Sequence, residues 1–209
     1  MKPLKNNETM NVAFLVYDQV EVLDLNGPLD VFVKANVILP GSYHCYTVGK
    51  TNEPIHTEAN TMAIIPTYTI HNAPKADIIV IPGANPDHVI RHLQDIDFQD
   101  TVMNWVKDGY QNGAVIFTVC TGCLLLSKTG ILENHEITTH AMALDALEQY
   151  NPKSCVKREV RYVDQEKLIT TAGITAGIDA ALYLIGKHHG QKIVDTIVEI
   201  FEYQQGIAG

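Results

Sequence analysis

The chain has 209 residues, 46% of them hydrophobic and 19% charged, with a formal net charge of −9. That length and composition suit one domain with a substantial buried core and do not suit a disordered chain. The acidic balance, with no dense Lys/Arg run, argues against a nucleic-acid-binding surface, and no apolar stretch approaches the ~20 residues that span a bilayer.

Residues 1–10 read as a polar N-terminal extension without the apolar region of a signal peptide, with Met10 as an alternative start. Residues 11–209 read as a single domain. A short apolar run at 11–17 predicts the first strand. A helix over 24–36 follows, with Leu25, Leu29 and Val33 on one side and Pro28 near its start. A strand is expected at 43–48, then a short hairpin of 62–65 and 68–70 around Pro66. Residues 76–81 read as a buried parallel strand stopped by Pro82-Gly83-Ala84-Asn85.

Helix signals cover 86–94 and 97–109. The strand 113–119 ends at Cys120, and a helical pattern runs from there to Gly130. A short strand at 137–139, a helix at 141–150, strands at 160–163 and 168–171 around Gln165-Glu166, and helices at 176–189 and 191–203 complete the chain. Gly190 marks the end of the first of these two helices. Strands alternating with helices predict an α/β fold with a mainly parallel sheet flanked by helices. In such sheets the active site lies beyond the C-terminal strand ends, where Asp24, Pro82–Asn85 and Cys120–Gly122 converge.

Val119-Cys120-Thr121-Gly122 carries the strongest chemical signal. A cysteine between a buried strand and a helix start resembles a nucleophile elbow, although Thr118 stands where the first elbow glycine would be. The helix start would lower the thiol pKa from roughly 8.5. The competing reading is a small buried core cysteine. Cys120 and Cys123 also match C-x-x-C, the spacing of a redox pair. Together with Cys45 and Cys155 they have neither zinc-ribbon spacing nor the density of a secreted disulfide scaffold, so a reduced, cytoplasmic protein is expected.

Asp24 lies between Leu23 and Leu25. It either caps a helix or is a buried carboxyl held partly protonated. The N–H groups of Gly83 and Ala84, with that of Thr121, are candidate oxyanion donors, or else 82–85 is an ordinary Pro-Gly turn. His140, after Thr138-Thr139, is a candidate base for Cys120, or else a surface histidine or one that supports the site from behind its contacting residues. His88 and His92 are four residues apart with no third ligand in view, so no metal is expected.

Leu23-Asp24-Leu25-Asn26-Gly27-Pro28, Ile81-Pro82-Gly83-Ala84, Val119-Cys120-Thr121-Gly122 and Gly173-Ile174-Thr175-Ala176-Gly177-Ile178-Asp179 together resemble the ThiJ/PfpI superfamily over about residues 11–203. The resemblance implies a flavodoxin-like, class I glutamine amidotransferase-like fold. Asp24, the V-C-T-G elbow and Thr138-Thr139-His140 are most similar to its isonitrile hydratase subgroup. The same signature occurs in the ligand-binding half of AraC-type regulators, but ending at Gly209 would leave no room for their helix-turn-helix domain. Cys123 stands where the subgroup commonly has Ser, Ala141 where it has Trp, and Ala84 where it has a second Gly. Thr121 stands where peptidase and glyoxalase relatives often have His.

The resemblance implies a lyase that hydrates an isonitrile to an N-substituted formamide. Cys120 would be the nucleophile and Asp24 the proton donor. Thr121 would orient Asp24 or water, and the N–H groups of Gly83, Ala84 and Thr121 would stabilise developing negative charge. A small-molecule substrate, a homodimer, and no cofactor, metal, nucleic acid or membrane are expected. The rival readings are a cysteine-based redox or stress protein, a ligand-binding module, and a glyoxalase- or deglycase-like enzyme.

Overall fold

A computed structural model describes residues 9–204 of the chain. The expected extension 1–10 therefore lies mostly outside the described residues. Its last residue, Met10, is buried and opens the first strand.

In chain order the larger elements begin with β1 (Met10–Leu15), α1 (Val22–Ile38) and β2 (Tyr43–Gly49). The short strands β3 (Ile55–His56), β4 (Ala63–Ile64) and β5 (Tyr68–Thr69) precede the buried β6 (Ile78–Ile81). Then come α2 (Pro86–Gln94), α3 (Ile96–Phe98), a π-turn at Gln99–Met103 and α4 (Asn104–Gln111). The strand β7 (Val115–Thr118) leads into the short α5 (Gly122–Leu125). After β8 (Glu136–Ile137), α6 (Leu144–Tyr150) and β9 (Cys155–Val156) come β10 (Tyr162–Asp164) and β11 (Leu168–Thr171). Two packed helices close the fold, α7 (Ala176–His189) and α8 (Gln191–Phe201).

Seven strands form one sheet in the order β10-β11-β7-β6-β1-β2-β5. Every pairing is parallel except β10 with β11, a hairpin turned at Glu166 with φ +63°. This is the expected flavodoxin-like, mainly parallel sheet. Successive side chains alternate between two cores, as a two-residue strand period requires. Ala13, Leu15, Ile79, Ile81 and Ile116 enter one, and Val12, Phe14, Ile78, Val80 and Phe117 enter the other. Burial on both faces explains why these strands read as unbroken apolar runs.

One expectation is overturned. Residues 62–65 and 68–70 do not pair with each other. β4 pairs antiparallel with β3, whereas β5 joins the sheet edge, parallel to β2 at Val48 and Gly49. Pro66 supplies no ladder N–H and separates the two strands. The helix α1 also starts two residues earlier than expected, so Pro28 lies inside it rather than near its first turn. Its ring leaves the carbonyl of Asp24 without the usual helical donor. That cost accompanies a close crossing. A Cβ on Gly27 would lie 2.9 Å from Ile178 Cγ1, and one on Gly177 would lie 2.7 Å from Val119 Cγ1 and 3.1 Å from Pro28 Cγ. Small residues at 27 and 177 let α1 and α7 approach, and that approach places Asp24 beside the end of β7.

Among the described residues, no helix is long and apolar enough to cross a membrane.

Candidate active site

The parallel strands β6 and β7 end side by side, with Ile81 opposite Thr118. Past β6, Asn85 caps α2 by accepting the Asp87 N–H at 3.1 Å, and Pro86 begins the helix. The 82–85 turn is thereby fixed. Past β7, Cys120 occupies the left-handed region at φ +55°. A non-glycine residue there is strained by about 1–3 kcal/mol and needs external support. Its N–H donates to Ala172 O at 3.1 Å, and its carbonyl accepts the Thr139 hydroxyl at 2.7 Å. Gly122 then passes directly over β6. A Cβ at this position would lie 2.3 Å from Ile81 O and 2.8 Å from Pro82 O, so only glycine fits.

Asp24 is fully buried. It does not cap α1. That role falls to Glu21, whose carboxylate accepts the Leu23 N–H at 3.2 Å. Asp24 instead reaches across to the 82–85 turn, where its Oδ2 accepts the Gly83 N–H at 3.0 Å. Its buried Oδ1 has no hydrogen-bond partner among the described residues. Burial, opposed by the Gly83 N–H and aided by the charges of Glu21 and Glu58, raises its pKa to about 7. The carboxyl and the Cys120 thiol interact directly, and the Tyr17 phenol lies within electrostatic reach of both. The Tyr17 hydroxyl donates to Pro82 O at 2.8 Å, tying the end of β1 to the same turn.

The thiol itself departs from expectation. Burial and the facing Asp24 push Cys120 up to about 12, against the lowering effect of the Ile174 and Thr121 N–H groups that point at it. The helix-start effect expected to lower this pKa is small because α5 is only four residues long.

Thr121, Gly83 and Ala84 come together around the pair, but their groups are used differently from the sequence expectation. The Thr121 hydroxyl donates to Ala84 O at 2.6 Å and accepts from Ala84 N–H at 3.0 Å. It clasps the 82–85 turn, on which Asp24 Oδ2 also bonds the Gly83 N–H. The Gly83 and Ala84 N–H groups are thus committed to Asp24 Oδ2 and Thr121 Oγ1. The donors aimed at sulfur are the backbone N–H groups of Thr121 and Ile174.

His140 caps the 3-10 turn Ala141–Ala143, with Nδ1 accepting the Met142 N–H at 3.1 Å. Its ring covers Gly173, where a Cβ would lie 2.3 Å from Cδ2. Cys123 packs in the core on the other face from Cys120, and its thiol meets the Thr118 hydroxyl. Both cysteines are free thiols. His92 packs against Tyr17 and Phe98, with ring centroids 5.0 and 4.6 Å away.

Sequence reasoning missed Ile174, Tyr17 and Thr139 as parts of this site. Ile174 and Thr139 stood within singled-out motifs, but nothing in residue type marks a backbone N–H or a hydroxyl that holds a strained carbonyl.

The DJ-1/PfpI family profile matches residues 10–187. Among curated proteins, isonitrile hydratase from Pseudomonas putida is 32% identical over 195 residues, covering 93% of this chain and 78% of that protein. The HTH-type transcriptional regulator GbdR from Pseudomonas aeruginosa is 23% identical over 208 residues, or 97% of this chain, but this chain spans only 53% of the regulator. Among solved structures, a ThiJ/PfpI family protein from Pseudomonas syringae superposes with a TM-score of 0.81 at 27% identity. That match covers 96% of this chain and 77% of the other. With the sheet order, the strained cysteine and the buried aspartate already in place, these similarities establish that the chain belongs to the DJ-1/PfpI family.

Proposed function

We propose that this protein is an isonitrile hydratase-like lyase that uses Cys120 as nucleophile and Asp24 as its proton partner. The observation that carries this reading is the buried Asp24 carboxyl, raised to about 7, against a thiol held at a left-handed turn. The 32% identity to an isonitrile hydratase supports the choice of substrate class.

The pair reacts with one proton shared between sulfur and carboxyl. As Sγ adds to the isonitrile carbon, that proton passes through Asp24 to the same carbon, and the C–S and C–H bonds form together. The product is a thioimidate, R–N=CH–S–Cys. Water adds to its carbon, nitrogen takes a proton, and the C–S bond breaks with a proton returning to the Cys120–Asp24 pair. The sum is R–NC plus water giving R–NH–CHO, with no redox change and no cofactor in the scheme. The Thr121 and Ile174 N–H groups support sulfur whenever it carries negative charge. Thr121 contributes through this N–H, and its hydroxyl holds the turn that positions Asp24. The working protein is a cytoplasmic homodimer in this proposal, a state that light scattering tests.

Formamide production from a simple alkyl isonitrile, by the intact protein and by Cys120→Ala, tests the reading. Turnover lost in Cys120→Ala supports it. Turnover retained in that variant, or absent from folded protein with reduced Cys120, overturns it.

A further inference from the structure

We propose that Arg161 is a positioning residue for the reactive thiol, acting with Asp179 and Thr175 to staple the loop that aims the Ile174 N–H at Cys120 Sγ. The inference rests on Cys120 being the reactive thiol and is independent of the isonitrile substrate.

Ile174 sits at φ +32°, a region that a β-branched side chain disfavours. Its neighbour Gly173 is confined beneath the His140 ring. A donor presented from so strained a peptide needs both flanks of its loop held. Arg161 holds both. Its carbonyl accepts the Ala172 N–H at 2.9 Å on the near side. On the far side its Nε donates to Asp179 Oδ2 at 2.8 Å, and its Nη2 donates to Thr175 Oγ1 at 3.2 Å and also to Asp179 Oδ2. Asp179 lies in the first turn of α7 and is almost wholly buried. Its other oxygen accepts the Tyr203 hydroxyl at 3.0 Å. Arg161 thus fixes the start of α7 relative to Ala172, whose own carbonyl holds the Cys120 N–H.

The planar guanidinium is suited to this because one rigid fork can serve two acceptors. Among the described residues, the charged or titratable groups facing Cys120 are Asp24 from α1 and Tyr17 from the segment after β1. Arg161 therefore acts through the loop and not by touching sulfur.

The test is the pH dependence of Cys120 alkylation by iodoacetamide, read on the Cys120 peptide by mass spectrometry. It is run on the full chain and on Arg161→Met, Arg161→Lys, Asp179→Asn and Thr175→Val. Loss of the Ile174 donor raises the apparent pKa by about one unit and slows alkylation near neutrality about tenfold. Asp179→Asn decides between position and charge. Removing its negative charge alone would make the thiol easier to ionise, whereas releasing the loop makes it harder. The expected result is a raised apparent pKa in Arg161→Met and Asp179→Asn, a smaller rise in Thr175→Val, and partial recovery in Arg161→Lys. A lowered value in Asp179→Asn, or unchanged profiles in folded variants, overturns the proposal. Should Arg161→Met not fold, Thr175→Val, which keeps the ion pair, decides by the same readout.

Discussion

Asp24 Oδ2 accepts the Gly83 N–H at 3.0 Å, and that bond crosses from α1 to the turn after β6, while the buried Oδ1 has no hydrogen-bond partner among the described residues. In the proposed function, one oxygen fixes the side chain and the other carries the proton traffic. If the reacting pair carries a single proton, the first ionisation of the pair switches activity on. With Asp24 raised to about 7, kcat/KM for isonitrile hydration should rise about tenfold per pH unit below pH ~7 and flatten above it. Asp24→Asn should lower the plateau by about a hundredfold or more and abolish the rise. A profile in Asp24→Asn with the wild-type midpoint would assign that ionisation to another group.

The same carboxyl makes stability depend on pH. Its folded pKa of about 7 lies above the ordinary 3.8, so between these values the native state binds more protons than the unfolded state. The contribution of Asp24 to stability is therefore greatest below the lower value and falls as pH rises toward the upper one. The total loss is on the order of 4 kcal/mol. Asp24→Asn can still accept from Gly83 but cannot ionise. Urea denaturation at about pH 5 and about pH 8 should show a drop in midpoint for the wild type that is much reduced in Asp24→Asn.

The sheet and its two cores were legible because burial on both faces writes β1, β6 and β7 as apolar runs with firm stops. The candidate site was legible where residue type carries the proposed chemistry: an acid among leucines at Asp24 and a cysteine at a strand end. The partners of β5 were not legible, since two-residue strands leave no period to read and the pairing is set by tertiary contact. The sign of the Cys120 shift was also hidden. It depends on how deeply α1 and α7 bury the sulfur, and that depth comes from the Gly27–Ile178 and Gly177–Val119 approaches rather than from the elbow itself.

Thr121 offers a test of hydroxyl against backbone. Its Oγ1 both donates to and accepts from Ala84, within a buried turn. Thr121→Val strands the Ala84 N–H and carbonyl at a cost of about 1–3 kcal/mol. Thr121→Ser keeps both bonds. Thermal unfolding should therefore separate the two variants, with Ser near wild type and Val several degrees lower. Since the Thr121 N–H facing sulfur survives in both, Thr121→Ser should also retain most turnover. Loss of turnover in folded Thr121→Val well beyond its loss of stability, with turnover kept in Thr121→Ser, would assign the hydroxyl a part in the chemistry.

The contact between Gly173 and His140 is a matter of space. Gly173 is not among the glycines at positive φ, so alanine is acceptable to its backbone, and the obstacle is the imidazole 2.3 Å from where a Cβ would sit. Gly173→Ala must displace either the ring or the loop that carries Ile174. We expect a loss of about 1–3 kcal/mol and a parallel fall in Cys120 reactivity. His140→Ala opens that space while leaving Cys120, Asp24 and the Ile174 loop in place. If His140 serves to pack and cap, His140→Ala alone should keep most activity, and the Gly173→Ala/His140→Ala double variant should be more active than Gly173→Ala. A double-mutant cycle on turnover and on unfolding midpoint would then show coupling of about 1 kcal/mol or more between two adjacent positions. If His140 were instead the base for Cys120, removing it would abolish activity in both backgrounds, and the cycle on turnover would show no rescue.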